Sequence, residues 1–245
     1  MVDFLRSTRP HRDQHRRAEN EDLADRLLTI VDPTSAASEA YRSLRTNLLY
    51  SFIDNPPKVI VMTSPGPREG KSTTCANLGM VLVQADKKVI MIDCDLRRPV
   101  LHKFFDIRNL KGLVDILAEE SRLEEVLHEP VEGLQVVTVG PIPPNPAEII
   151  GSRRFSEFLA GVREEFDYIL IDAPPIGLVT DPAILAVQGD GVLLVIDAQN
   201  TRKGALRQSV RSLESVGANI LGTVMNNVEH EKGNYSYYGY TYGQG

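Results

Sequence analysis

The sequence predicts an α/β protein, a predominantly parallel sheet with helices on both faces and so three layers in all. Three observations carry this. Runs such as KVIVMTS, KVIMIDCD and GVLLVIDA are almost wholly aliphatic, as strands buried on both faces must be. Between such runs lie segments whose apolar residues recur every three or four positions, the period of an amphipathic helix. The loops with unusual residues follow the strands, and sheets of this kind bind ligands beyond their carboxyl ends.

Each element follows from local pattern. Residues 1 to 33 are polar and lack periodicity before Leu23; Arg6, Arg9, Arg12, Arg16 and Arg17 make the first stretch basic. That reads as a flexible N-terminal extension, with contact to an anionic membrane surface as a second reading. Leu44, Leu48 and Phe52 place a helix over 35–52, which Asn55-Pro56-Pro57 stops. Strands are expected at 58–64, 88–95 and 134–140, with a helix from Lys71 to Ala85. The segment SRRFSEFLAGVREEF sets Phe155, Phe158, Leu159 and Val162 on one helical face. DYILIDAPP, GVLLVIDA and NILGTVMN give three more strands, and Leu206, Val210 and Leu213 mark a helix between the last two. Residues 34–228 thus form one domain, followed by a flexible, tyrosine-rich segment over 229–245.

Composition narrows the function. A formal charge of −6 over 245 residues argues against a nucleic-acid binder, which is usually basic. No apolar run reaches the ~18 residues needed to cross a bilayer, and the N-terminus lacks a signal-peptide core. The two cysteines, Cys75 and Cys94, make no disulfide framework and read as reduced and partly buried. A cytoplasmic location is the expectation.

The chemistry starts at TSPGPREGKSTT, which joins the first strand to the next helix. Strand, glycine-bearing loop and GKS at a helix start are the order of a phosphate-binding P-loop. Successive backbone N–H groups and the helix end cradle phosphate oxygens there. Lys71 is placed for the β- and γ-phosphates and Ser72 for Mg²⁺, and Gly70 lets the backbone pass close to the nucleotide. Gly66, Glu69, Gly70, Lys71, Ser72 and Thr73 form the expected ATP-binding loop. The strict pattern asks for glycine six places before the lysine; this chain has Pro65 there and Gly66 next to it. Asp93 and Asp95 end one strand, with Arg97 and Arg98 following, and Asp172 ends another. A lone strand-end aspartate is often a helix cap, but three at the mouth of one sheet suit a Mg²⁺–nucleotide site. Asp190 and Asp197 sit in no recognisable phosphate or metal motif and are left outside the site.

GKST at 70–73, the IDCDLRRP segment ending at Pro99 and YILIDAPP at 168–175 together resemble the bacterial tyrosine kinases of capsule and exopolysaccharide synthesis. These are P-loop NTPase-like proteins whose three nucleotide motifs are called Walker A, A′ and B. GPIPPNPAEII at 140–150 and EAYRSLRTNL at 39–48 extend the resemblance over roughly residues 35–245. It implies an ATP- and Mg²⁺-dependent protein-tyrosine kinase. Asp95 and Asp172 then support the metal, and Asp93 accepts the proton of an incoming phenol, although the spacing leaves the Asp93/Asp95 division open to reversal. Asn226 resembles an adenine-contacting position and reads equally as a strand-end cap. Tyr235, Tyr237, Tyr238, Tyr240 and Tyr242 match the family's autophosphorylation cluster, modified in trans.

Glu39, Arg42 and Arg45 share a helix face, either as an internal salt bridge or as the family's contact to the next protomer in a ring-forming homo-oligomer. A transmembrane polysaccharide co-polymerase acting as adaptor and activator, and a cognate tyrosine phosphatase, are the implied partners; nucleic acid is not. Two rivals remain: a Par/Min-type ATPase, which carries a lysine where this chain has Gly66, and a regulatory nucleotide-binding module that barely turns over.

Overall fold

The computed structural model describes residues 27–52 and 56–228. Seven strands form one sheet: β1 Val59–Thr63, β2 Val89–Asp93, β3 Leu127–Val131, β4 Leu134–Val137, β5 Tyr168–Asp172, β6 Gly191–Asp197 and β7 Ile220–Asn226. Their order is β3-β4-β2-β5-β1-β6-β7, parallel throughout except for the β3–β4 pair. The helices are α1 Leu28–Val31, α2 Ala36–Tyr50, α3 Lys71–Val83, α4 Leu101–Phe104, α5 Leu113–Leu117, α6 Leu123–Val126, α7 Pro146–Ile150, α8 Arg153–Glu165, α9 Asp181–Gln188 and α10 Lys203–Ser215.

The pleat sorts each central strand between two cores. Val59 and Val61 join Ile90, Ile92, Phe155 and Leu159 on one face; Ile60 and Met62 join Leu78, Leu82, Met91 and Leu170 on the other. Both sets are fully or nearly fully buried, each such side chain contributing about 1.5–3 kcal/mol. Helix α3 lies so close to β2 that a Cβ on Gly79 would run into the Met91 sulfur. Ser35 caps α2 by accepting from the Ser38 amide, and Ser152 caps α8 by accepting from the Phe155 amide.

Three features depart from the sequence expectation. Strand β3 is antiparallel and only half-buried; Pro130 weakens its strand signal, and proline is tolerated there because β3 lies at the sheet edge. Strand β7 is the other edge, and Met225 and Thr223 are exposed rather than covered. Finally, packing begins before residue 34. Leu27 is buried, and the buried Thr29 donates its amide and hydroxyl to Asn77 Oδ1 on α3 at 3.1 and 3.2 Å.

Candidate nucleotide site

The loop between β1 and α3 is shaped by two residues in the left-handed region, Arg68 (φ 63°) and Gly70 (φ 90°). Such reversals turn consecutive amides to one side, the geometry that binds anions. Gly70 is obligatory on two counts, since a Cβ there would also collide with the Asn226 side chain. At the base of the loop the Ser64 hydroxyl donates to the Gly66 carbonyl at 2.6 Å.

Strand ends converge on Lys71. Its Nζ lies 3.2 Å from Asp95 Oδ2, 3.2 Å from Asp172 Oδ1 and 3.2 Å from the Ser72 hydroxyl. Burial opposes the Lys71 ammonium, yet Asp172, Asp95 and Asp93 together outweigh it, and its pKa is raised. Asp172 is fully buried, and burial raises its carboxyl despite Lys71 and Ser72. Asp172 Oδ2 is buried without a hydrogen-bond partner. An orphaned carboxylate oxygen beside a serine hydroxyl and a phosphate loop suits a hydrated cation. Among the described residues no group of three or more His, Cys, Asp or Glu side chains is arranged to hold a metal alone. Mg²⁺ keeps waters and takes substrate phosphate oxygens, so protein side chains need supply only part of its shell.

The geometry gives Asp93 and Asp95 different surroundings. Asp93 is fully buried; Oδ1 accepts from the Asp95 amide at 3.1 Å, and Oδ2 from the Val100 and Leu101 amides at 3.0 Å each. Burial first, and the Asp172 charge second, push it up to about 8. It therefore holds the 95–101 loop in shape. Asp95 lines the cavity, accepting from the Arg98 amide through Oδ1 and facing Lys71 through Oδ2.

That cavity, about 760 Å³, runs from Asn226 and Asn227 past Arg68, Gly70, Ser72 and Thr73 to Asp95, Arg97 and Arg98. Leu28, Tyr41, Val100, Phe104 and Leu178 form an apolar wall. Helix α1, which sequence patterning left in the extension, thus supplies a wall of the site. Of the expected loop set, the Glu69 carboxylate turns away: Oε1 accepts from the Thr201 hydroxyl at 2.7 Å, and burial raises its pKa. Asn226 Nδ2 reaches the Glu69 carbonyl at 3.4 Å.

Beside it, Asp197, a strand-end aspartate outside the expected site, organises the end of β7. Asp197 accepts from the Gln199 and Asn200 amides and from the side chains of Asn200 and Asn227. The side-chain donors Asn200 and Asn227, then the Gln199 amide, lower its pKa to about 2. A depressed carboxylate adds stability above its unfolded pKa of about 3.9 and loses it as pH falls through the folded value. The denaturation midpoint of the wild type should therefore exceed that of Asp197→Asn above pH ~4, and the gap should close as pH falls toward about 2. A constant gap over that window would remove Asp197 from the network. Asp190, by contrast, is structural: Oδ2 accepts from the Lys58 and Val59 amides and Oδ1 from Arg163.

The remaining expectations fall elsewhere. Glu39 and Arg42 pair within α2 at 2.9 Å, and Arg45 Nη1 donates to the Val81 carbonyl of α3 at 3.0 Å. The five tail tyrosines and the N-terminal arginines lie outside the described residues. No helix among the described residues is long and apolar enough to cross a membrane. Both cysteines are free and buried, and burial pushes their thiols up.

Residues 57–223 match the AAA domain family. The chain is 39% identical over 215 residues to the tyrosine-protein kinase YwqD of Bacillus subtilis (strain 168), covering 87% of this chain and 91% of that one. The kinase domain of Escherichia coli tyrosine kinase ETK superposes with a TM-score of 0.80 at 31% identity, over 89% of this chain and 84% of that one. The septum site-determining protein MinD of Pyrococcus horikoshii OT3, complexed with Mg-ADP, gives a TM-score of 0.58 at 25% identity, over 69% of this chain and 70% of that one.

Proposed function

The chain belongs to the bacterial tyrosine-protein kinases of the AAA domain family, and from that premise we propose that it transfers the γ-phosphoryl group of ATP to tyrosines of its own C-terminal segment, in trans. One observation carries the reading: Lys71 stands 3.2 Å from both Asp95 and Asp172 where three strand ends meet a phosphate loop.

Lys71 and the loop amides hold the β- and γ-phosphates, and Asn226 borders the base. Ser72 and Asp172, directly or through water, would hold Mg²⁺, which when bound neutralises phosphate charge. Asp95, the carboxylate on the cavity wall, accepts the phenol proton as the oxygen–phosphorus bond forms and the bond to the ADP oxygen breaks. Asp93 positions Asp95 through the backbone. Asp95→Asn should then lower kcat by about 10²–10⁴-fold with a near-native melting temperature, whereas Asp93→Asn should lower the melting temperature first. An inactive Asp93→Asn that melts like wild type, beside an active Asp95→Asn, would restore the opposite assignment.

The same proposal places the protein in regulation of capsular or exopolysaccharide synthesis, at the cytoplasmic face of the membrane. A transmembrane adaptor activates it there, and a tyrosine phosphatase resets it. Residues 34–228 with α1 act as the catalytic unit, 229–245 as acceptor, and α2 as the contact in a ring of copies. Exposed Glu39 and the outer face of Arg42 serve that contact, since Arg45 is engaged within its own chain. The deciding experiment incubates purified chain with Mg-ATP and the cytoplasmic segment of an adaptor and probes for phosphotyrosine. No labelling under those conditions overturns the proposal.

A further inference from the structure

At the rim of the cavity stands a charged device that holding ATP does not require. Asp181, the first residue of α9, is fully buried. Both of its oxygens accept from one guanidinium: Oδ2 from Arg97 Nε at 2.9 Å and Oδ1 from Arg97 Nη2 at 3.2 Å. This is side-on, bidentate pairing, the arrangement in which arginine is most firmly oriented. A carboxylate without solvent must be paired, so Asp181 confines Arg97 to one pose. The Arg97 side chain nevertheless stays 43% exposed, and it lines the cavity. Asp181 engages Nε and Nη2; Nη1 lies on the far side of the fork and remains for another acceptor.

The charge around it is lopsided. Of the cations on the cavity wall, Lys71 is matched by Asp95 and Asp172 and Arg97 by Asp181, and Arg68 and Arg98 add two further positive charges. On a chain of net charge −6, this rim is a local anion trap. The acceptor segment becomes anionic as it is used, each phosphate adding about −1.5 to −2 charges. Its tyrosines are spaced for this: 235 with 237, and 238 with 240 and 242, stand two apart. In an extended chain such pairs share a face about 6.6 Å apart. Arg97 is likewise two residues from Asp95 on its loop.

Resting on the kinase reading of this cavity, we propose that Arg97, locked by Asp181 with Arg98 beside it, is an anion subsite that binds a phosphoryl group already carried by the acceptor segment. A singly phosphorylated segment is then a better acceptor than an unmodified one, and modification of the cluster becomes self-reinforcing.

The test uses two synthetic peptides of residues 233–245, one unmodified and one phosphorylated at Tyr238, with the full-length protein and Mg-ATP. Wild type should use the phosphorylated peptide with about tenfold higher kcat/KM, chiefly through KM, and the preference should shrink as salt rises. Arg97→Gln should bring the ratio of the two peptides to about one while the KM for ATP stays within about twofold of wild type. Asp181→Asn should do the same if its melting curve is intact; Arg97, on the surface, keeps the test decisive if it is not. Equal use of both peptides by wild type overturns the subsite, and so does a raised KM for ATP in Arg97→Gln, which would hand the guanidinium to the nucleotide. A peptide with glutamate at position 238 that matches the phosphorylated one overturns the phosphoryl assignment in favour of any acid. Failure of wild type to phosphorylate either peptide is a different outcome, and it tells against the kinase reading itself.

Discussion

Lys71→Met should lower phosphotyrosine formation by about 10²–10³-fold and destabilise the fold more at pH 8 than at pH 5. The catalytic half of this expectation follows from position: the ammonium meets strand-end carboxylates and phosphate loop together. The stability half follows from burial. Lys71 is 9% exposed, Asp95 5%, and Asp93 and Asp172 are at zero, so removal of the cation leaves three clustered carboxylates without the ammonium that pairs with two of them. Breaking a buried pair on one side costs about 3–5 kcal/mol. Here the carboxylates can escape part of that cost by taking up protons, which raises their folded pKa values further above the unfolded ones. A carboxyl so raised lends stability that is present at low pH and lost as pH climbs through the folded value. The raised Lys71 pKa of the wild type lies too high to move anything between pH 5 and 8. Urea denaturation of both proteins at the two pH values measures the difference. Equal destabilisation at both would mean that the carboxylates do not depend on Lys71, and labelling that survives the substitution would put the phosphate site elsewhere.

What was readable in the chain and what was not divides along physical lines. Strands β1, β2, β5 and β6 were legible because burial on both faces forces a nearly unbroken apolar run, closed at its end by Thr63, Asp93, Asp172 or Asp197. Their ends came out shorter than the runs, since residues such as Cys94 and Ala173 continue the apolar pattern after pairing has stopped. Strand β3 was not legible: LHEPV contains a glutamate and a proline, which an edge strand tolerates and a central one does not. Helices of four or five residues, such as α4 and α5, are too short to display a period at all. In the proposed site, Lys71, Ser72, Asp95 and Asp172 stood in recognisable motifs, and the fold brings them together. Spacing cannot report which oxygen faces a backbone amide, and so it left the division between Asp93 and Asp95 open, whereas the structure shows Asp93 taken up by three amide bonds. Asp181 lay beyond reach for another reason. TDP reads as an ordinary helix start, and its partner Arg97 is 84 residues away. Thr29 and Asn77 were hidden in the same manner, by a contact that only tertiary packing creates.

Replacing all five tail tyrosines by phenylalanine, from Tyr235 to Tyr242, should remove nearly all self-labelling while leaving nucleotide affinity as in wild type. The chain has three other tyrosines, and their positions say why they do not substitute. Tyr168 is buried in β5; Tyr41 lines the cavity but is fixed on α2 and partly buried against α3, with burial raising its pKa; Tyr50 sits at the far end of α2 from the cavity wall. The tail is different in reach. Seventeen residues follow Val228, and an extended chain of that length spans roughly 55 Å at about 3.3 Å each. Val228 is two residues beyond Asn226, which lines the cavity, so the segment starts near its own site and the proposed transfer in trans has to be tested against transfer within one chain. Mixing therefore separates the two routes. A Lys71→Met chain with its tail intact supplies acceptors but no chemistry, and a chain truncated after Val228 supplies chemistry but no acceptors. Neither should label alone, and the mixture should place phosphotyrosine on the longer chain only, with a rate that rises with total protein concentration. Labelling of the longer chain that is absent in the mixture, while wild type labels itself at a rate independent of concentration, would assign the transfer to a single chain and remove the reason for a ring.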